Sequence, residues 1–235
     1  MLVIDHLTKI YKGTKKGVRD ITIHVEPGDI YAFIGHNGAG KTTLLKAVTG
    51  IHSYDSGEVR IDGLQLREEP DEVKRRIAYI PDNPDIYDFL TGIQYLQLIA
   101  DVFGVSAADR EARISDYAER FEITASLGDL ISSYSHGMKQ KLVLISALLH
   151  SPKLLIMDEP FVGLDPKAAF VLKELMREMT AGGGAIFFST HVLEVAEKLC
   201  NKVAIIKDGR LIADGAMDKV VKEGASLEEL FMETV

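Results

Sequence analysis

Short apolar runs rich in β-branched residues open the chain. Residues 2–10 and 21–25 predict two strands, separated by a glycine- and lysine-rich turn around Gly13 to Gly17. Residues 29–34 predict a short buried strand that runs into a loop at 35–40, after which the spacing predicts a helix over 41–49. Gly57, Asp62 and Gly63 punctuate a further strand at 58–61, and another is predicted at 77–80. The rhythm then changes. Ile93, Leu96, Leu98, Ile99 and Phe103 recur near helical spacing, and the stretch from about 91 to 150 reads as a helical insert. Strand patterns return at 153–157, 185–189, 202–206 and 210–212, and Ser226 with Glu229 marks the start of a capped terminal helix. Alternating strands and helices predict an α/β fold with a largely parallel sheet.

The longest nearly apolar stretch is 142–149. A bilayer-crossing helix needs about 20 such residues, so no membrane span is expected. Asp5 and His6 break the first apolar run too early for a secretory signal. Cys200 is the only cysteine, which excludes an internal disulfide and fits a reducing cytoplasm. The formal net charge of −8 argues against a general nucleic-acid binder, whose phosphate contacts need a basic face. The stretch 9–19 is the best candidate for a local basic patch, and a solvated turn is the better reading of it.

Chemistry enters at Gly35-His-Asn-Gly-Ala-Gly40-Lys41-Thr42-Thr43, which fits G-x-x-x-x-G-K-[ST] between a predicted strand and a predicted helix. Glycines allow backbone N–H groups to turn inward on a polyphosphate without intervening side chains. The helix that follows adds the positive end of its dipole. Asn37, Gly38, Ala39, Gly40 and Thr43 belong to this cradle, Lys41 offers a cation to the β- and γ-phosphates, and Thr42 a hydroxyl to Mg²⁺. The motif alone defines a P-loop nucleotide binder. A second apolar run, 154–157, ends in Asp158-Glu159-Pro160. In P-loop proteins such an aspartate supports Mg²⁺, and Glu159 is placed to act as general base on a water. A surface turn capped by two acids is the alternative at this point. Ser189-Thr190-His191 follows another apolar run, and His191 is a candidate sensor of the γ-phosphate. The histidines show no metal-ligand spacing.

Tyr134-Ser135-His136-Gly137-Met138-Lys139-Gln140 lies between the helical insert and the acidic strand. It resembles the signature sequence of ATP-binding cassette (ABC) ATPases, usually L-S-G-G-Q. Ser135 and Gly137 match; Tyr134, His136 and Met138 depart. The remaining motifs occur in the family's order, and the resemblance covers nearly the whole chain. It implies a P-loop NTPase (RecA-like) core with a mainly parallel sheet, an antiparallel β subdomain and a helical subdomain at about 83–150, all within one nucleotide-binding domain spanning 1–235. It also implies that Tyr11 stacks on adenine with Val18 nearby, that Gly163-Leu164-Asp165 is the loop crossing a dimer interface, and that His191 is the switch histidine. Ser135 and Gly137 then complete the catalytic site of a second cassette subunit, identical or related, that pairs head to tail.

Further expectations follow from the same resemblance. They are ATP and Mg²⁺ as cofactors, a transmembrane permease as partner, no nucleic acid, and a place on the inner face of the cell membrane. Where the family carries Gln, this chain has Asp82, which is expected to approach the metal directly or through water; a loop aspartate without a metal role is the alternative. The sequences around Tyr79 to Asp82 and after Ser226 are similar to those of single-domain exporter ATPases. Import, or a soluble cassette of translation or DNA repair, are the competing readings.

Overall fold

The computed structural model of the chain describes all residues except 15, 84, 222–224 and 235. Two sheets frame it. The first has the order β2-β1-β4-β5, built from β1 (Leu2–Ile10), β2 (Gly17–Val25), β4 (Ser56–Ile61) and β5 (Leu64–Gln65), all neighbours antiparallel. Alternation decides which face is covered. Leu2, Ile4, Leu7, Ile21, Ile23 and Val25 turn inward and are buried, while residues between them meet solvent.

The second sheet has the order β10-β9-β3-β8-β7-β6. Its strands are β3 (Ile30–Ile34), β6 (Ile77–Ile80), β7 (Leu154–Asp158), β8 (Ala185–Thr190), β9 (Lys202–Lys207) and β10 (Arg210–Ala216). Pairing is parallel from β9 to β6, and only β10 runs antiparallel. Every residue of β3, β7 and β8 is buried, because helices and the first sheet cover both faces; this is why these strands read as unbroken apolar runs.

Helix α1 (Lys41–Val48) lies between the sheets, where Leu44, Leu45 and Val48 join a core with Ile4, Ile23, Phe33 and Phe187. The opposite face of the parallel sheet carries α3 (Gly92–Val102), α4 (Ala107–Arg120), α5 (His136–Leu148) and α6 (Pro166–Ala181) around a second core containing Leu96, Phe121, Leu144, Leu172 and Phe188. Shorter helices are α2 (Pro70–Arg76), α7 (Leu193–Leu199) and α8 (Met217–Val220). The terminal helix α9 (Leu227–Thr234) has the expected cap: Glu229 N–H donates to Ser226 Oγ (3.1 Å) and Ser226 N–H to Glu229 Oε2 (2.9 Å). Among the described residues, no helix is long and apolar enough to cross a membrane.

The predicted strands all occur; those at 2–10 and 77–80 keep their predicted bounds and the others shift at one or both ends. β2 begins at Gly17 rather than 21: Val18 is buried and Asp20, at φ +56°, breaks the alternation that the sequence pattern depends on. Helices α2, α6, α7 and α8 have no counterpart among the predicted elements. The signal at α6 is local: Asp165 caps it by accepting from Ala168 N–H at 2.8 Å, with Pro166 in the first turn.

Candidate functional site

Strands β3, β8 and β7 are adjacent and parallel, so their carboxyl ends open on one edge of the sheet. That edge is where ligands bind in open α/β sheets. The sequence places its chemistry there: the glycine loop after β3, Asp158 and Glu159 at the end of β7, and Thr190 and His191 at the end of β8. A cavity of about 260 Å³ results, lined by Tyr11, Lys16, Gly17, residues of the glycine loop, Lys41, Thr42, Thr43, Asp82, Asp158 and Glu159.

The loop curls back on itself. Lys41 is 7% exposed, and its Nζ donates to the carbonyl of Gly35 at 2.6 Å and, more weakly, to that of His36 at 3.5 Å. Gly40 sits at φ +115° directly before α1. A Cβ there would stand 2.7 Å from Val18 Cγ1, so only glycine fits. Val18 and Ala39, expected near the nucleotide, are both buried. Val18 packs under Gly40 and Ala39 bonds through its backbone to His36 and Gly209, so neither side chain lines the cleft.

Asp158 is 1% exposed. Thr42 Oγ1 donates to its Oδ2 at 2.5 Å, and Ser189 Oγ donates to its Oδ1. Burial nevertheless wins: desolvation raises the Asp158 carboxyl above the usual range, the two hydroxyls pull it down, and Asp82 and Glu159 push it up again. Ser189 also accepts from Glu159 N–H at 3.1 Å. It therefore orients both acids, a role the sequence pattern does not reveal.

Glu159 holds φ +51°, uncommon for a residue with a side chain. Its two carboxylate oxygens have different surroundings. Oε2 accepts from His191 Nδ1 at 2.9 Å and from His191 N–H at 3.3 Å. Oε1 is 3.4 Å from Lys41 Nζ, an ion pair whose alignment falls short of a hydrogen bond, and it is buried without a hydrogen-bond partner. Asp82 lines the same cleft, with its Oδ1 accepting from Asn83 N–H at 2.9 Å. Tyr11 projects beside α1, 36% exposed, with its ring edge-on to His52.

Among the described residues no cluster of three or more His, Cys, Asp or Glu side chains forms a metal cage. Magnesium in phosphoryl-transfer sites needs none, since one or two protein oxygens and the phosphates hold it. The pairing of Thr42 with a desolvated Asp158 fits that demand, because a cation would offset the cost of the buried charge.

Ser135 caps α5, its Oγ accepting from Met138 N–H at 3.2 Å. Ser135 and Gly137 do not line the phosphate cleft. The unusual neighbours of Ser135 have structural partners. Tyr134 donates to the carbonyl of Ser126 at 2.6 Å, and its hydroxyl lies 2.2 Å from where a Cβ on Gly92 would be. The His136 ring similarly fills the space beside Gly163, which sits at φ +82°. The loop expected at a dimer interface thus packs directly on the signature segment.

A glycine loop, an aspartate–threonine pair and a glutamate–histidine pair at one sheet edge define a P-loop nucleotide hydrolase, and the separate serine-capped helix narrows the class. A family model described as ABC transporter matches residues 18–162. A model for an AAA domain (putative AbiEii toxin, type IV TA system) matches 128–197. The chain is 33% identical over 220 residues to the ABC-type transporter ATP-binding protein EcsA of Bacillus subtilis (strain 168), covering 92% of this chain and 89% of that protein. It is 34% identical over 229 residues to the Nod factor export ATP-binding protein I of Paraburkholderia xenovorans (strain LB400), covering 97% and 75%. Among solved structures, an ATP-binding subunit of an ABC transporter superposes with a TM-score of 0.94 at 38% identity, covering 99% of this chain and 98% of that one. A dimeric ATP-binding cassette bound to ADP and Pi shares the fold, with a TM-score of 0.84 at 20% identity over 92% and 99% of the two chains. The chain belongs to the ABC transporter family as an ATP-binding subunit, an ATPase coupled to transport.

Proposed function

We propose that this ATPase works as a head-to-tail pair of identical chains and drives a separate transmembrane permease, in the direction of export. The observation that carries the pairing is the separation of two anion-binding features. The glycine loop opens on the cleft, while the Ser135-capped start of α5, a helix end suited to anions, lies outside it. One chain cannot apply both to one nucleotide, whereas two copies facing each other can. ATP then binds the closed pair more tightly than the open chains, and hydrolysis reopens it.

In this reading the chain forms one nucleotide-binding domain over 1–235, with the segment 83–150 as its helical subdomain. Tyr11 stacks on adenine, and the N–H groups of residues 37–43 and Lys41 hold the phosphates. Thr42 and Asp158 hold Mg²⁺, with Asp82 as an added negative group; the ion supplies charge neutralisation of the phosphates. Glu159 Oε1, the buried oxygen without a hydrogen bond, takes the proton of the attacking water. His191 keeps that carboxylate oriented through Nδ1 and turns Nε2 to the γ-phosphate. The Asp82 loop adjoins an apolar cavity of about 400 Å³ lined by Tyr79, Pro81, Ile86, Tyr95, Phe103 and His150, where we place the permease contact on the inner face of the membrane.

Export is supported by the Nod factor relative, whose name states that role. Light scattering tests the pairing: Glu159→Gln with ATP should show twice the monomer mass, and a monomer under saturating ATP refutes it. Co-purification of a multispan membrane protein tests the permease; ribosomes or DNA in its place would overturn that part.

A further inference from the structure

Tyr11 is not a free aromatic lid. Its hydroxyl lies 3.1 Å from His52 Nδ1, and Thr43 Oγ1 donates to the same hydroxyl at 3.5 Å. The His52 ring meets the Tyr11 ring edge-on at 6.0 Å between centroids, and Lys9 Nζ stands 5.6 Å from the centre of the tyrosine ring. His52 is itself fixed, its N–H donating to the carbonyl of Lys46 in the last turn of α1 at 2.9 Å. One end of this chain of contacts is thus Thr43, in the first turn of the phosphate-loop helix. The other is the loop that leaves the same helix.

We infer that His52 is a positioning residue for the nucleotide base: its Nδ1, paired with the Tyr11 hydroxyl, holds the ring edge against α1 and leaves one ring face to the adenine. The physical reason is entropy. A half-exposed tyrosine on a loop samples several rotamers, and each must be given up when a base stacks on it. A ring held at its hydroxyl has already lost that freedom, so stacking costs less. Tyr11 lies 41 residues from His52, and the pair is joined only by the fold. His52 touches neither phosphates nor Mg²⁺ in this scheme, and its effect is confined to the base.

This inference rests on the assignment of Tyr11 to adenine, and the test separates the two. Calorimetric titration with ATP and with inorganic tripolyphosphate, which has no base, is run on the wild type and on a set of variants. His52→Leu should weaken ATP about fivefold, the worth of one hydrogen bond of about 1 kcal/mol, and leave tripolyphosphate unchanged. His52→Asn should restore ATP affinity, because its amide oxygen takes the place of Nδ1. Tyr11→Phe should match His52→Leu, and the double variant should be no weaker than either. Unchanged ATP affinity in His52→Leu, or equal losses for ATP and tripolyphosphate, overturns the role of His52. Tyr11→Ala serves as the control. If it weakens ATP while His52→Leu does not, only the His52 role falls. If Tyr11→Ala leaves ATP affinity unchanged, the adenine assignment falls with it.

Discussion

Replacing Asp158 by asparagine should make the nucleotide-free chain more stable while impairing its chemistry. Asp158 is 1% exposed, and desolvation is the largest influence on its carboxyl. Burying a carboxylate costs several kcal/mol. The hydroxyls of Thr42 and Ser189 return roughly 1.5–3 kcal/mol each as hydrogen bonds to a charged group. The carboxyl is nonetheless raised, so burial prevails and the charged form carries a net penalty in the folded chain. Asparagine keeps the shape and removes the charge, and both hydroxyls can rotate to suit an amide.

The sign follows from linkage. A carboxyl raised in the folded state disfavours folding above its folded pKa and ceases to do so when protonated. The depressed acids Asp62, Asp165 and Glu178, held down by Lys153, Lys141 and Arg120, lose their stabilising contribution as pH falls. They are common to both proteins and cancel in the difference. Melting in chelator should therefore place Asp158→Asn above wild type near neutral pH, on a scale where about 1 kcal/mol moves the midpoint of a chain of this size by about 2–4 °C. The gap should close as acid protonates Asp158. A lower melting temperature for the variant, or a gap that does not change with pH, refutes the reasoning. Addition of Mg-ATP should reverse the order, because wild type gains more from the ligand.

Glu159→Gln should lower ATP hydrolysis by about 100-fold or more with ATP affinity retained, measured by phosphate release and calorimetry; hydrolysis at the parent rate removes Glu159 as the base. Gly40→Ala forces a Cβ to 2.7 Å from Val18 Cγ1 at φ +115°. It should cost about 1–3 kcal/mol in a denaturant titration and weaken ATP binding, and unaltered stability would show that the loop yields. Asp82→Asn should shift the Mg²⁺ concentration needed for half-maximal hydrolysis, and an unchanged Mg²⁺ dependence and rate would leave Asp82 as a loop residue.

Motifs that are continuous along the chain are legible from the sequence alone. The glycine loop, Asp158-Glu159 and the Ser135 helix start each combine a local conformation with a local chemistry, and all three occur where the pattern puts them. The buried strands are legible because both of their faces are covered. Side chains that act across the fold stay hidden. Ser189 reaches Asp158 over 31 positions, and His52 reaches Tyr11 over 41. Val18 is expected at the nucleotide, and the strand pairing that buries it under Gly40 has no local signal. The departures Tyr134 and His136 become intelligible only with the space left by Gly92 and Gly163.

Mixing two disabled chains gives the most direct test of a nucleotide shared between copies. Lys41→Ala removes the phosphate-loop cation and Ser135→Arg blocks the helix tip, so each chain alone should be inactive. In a mixed pair, one site combines the intact loop of the Ser135→Arg chain with the intact helix tip of the Lys41→Ala chain. ATP hydrolysis should return on mixing and rise with the fraction of mixed pairs. A mixture no more active than its components, alongside active wild type, would contradict the sharing.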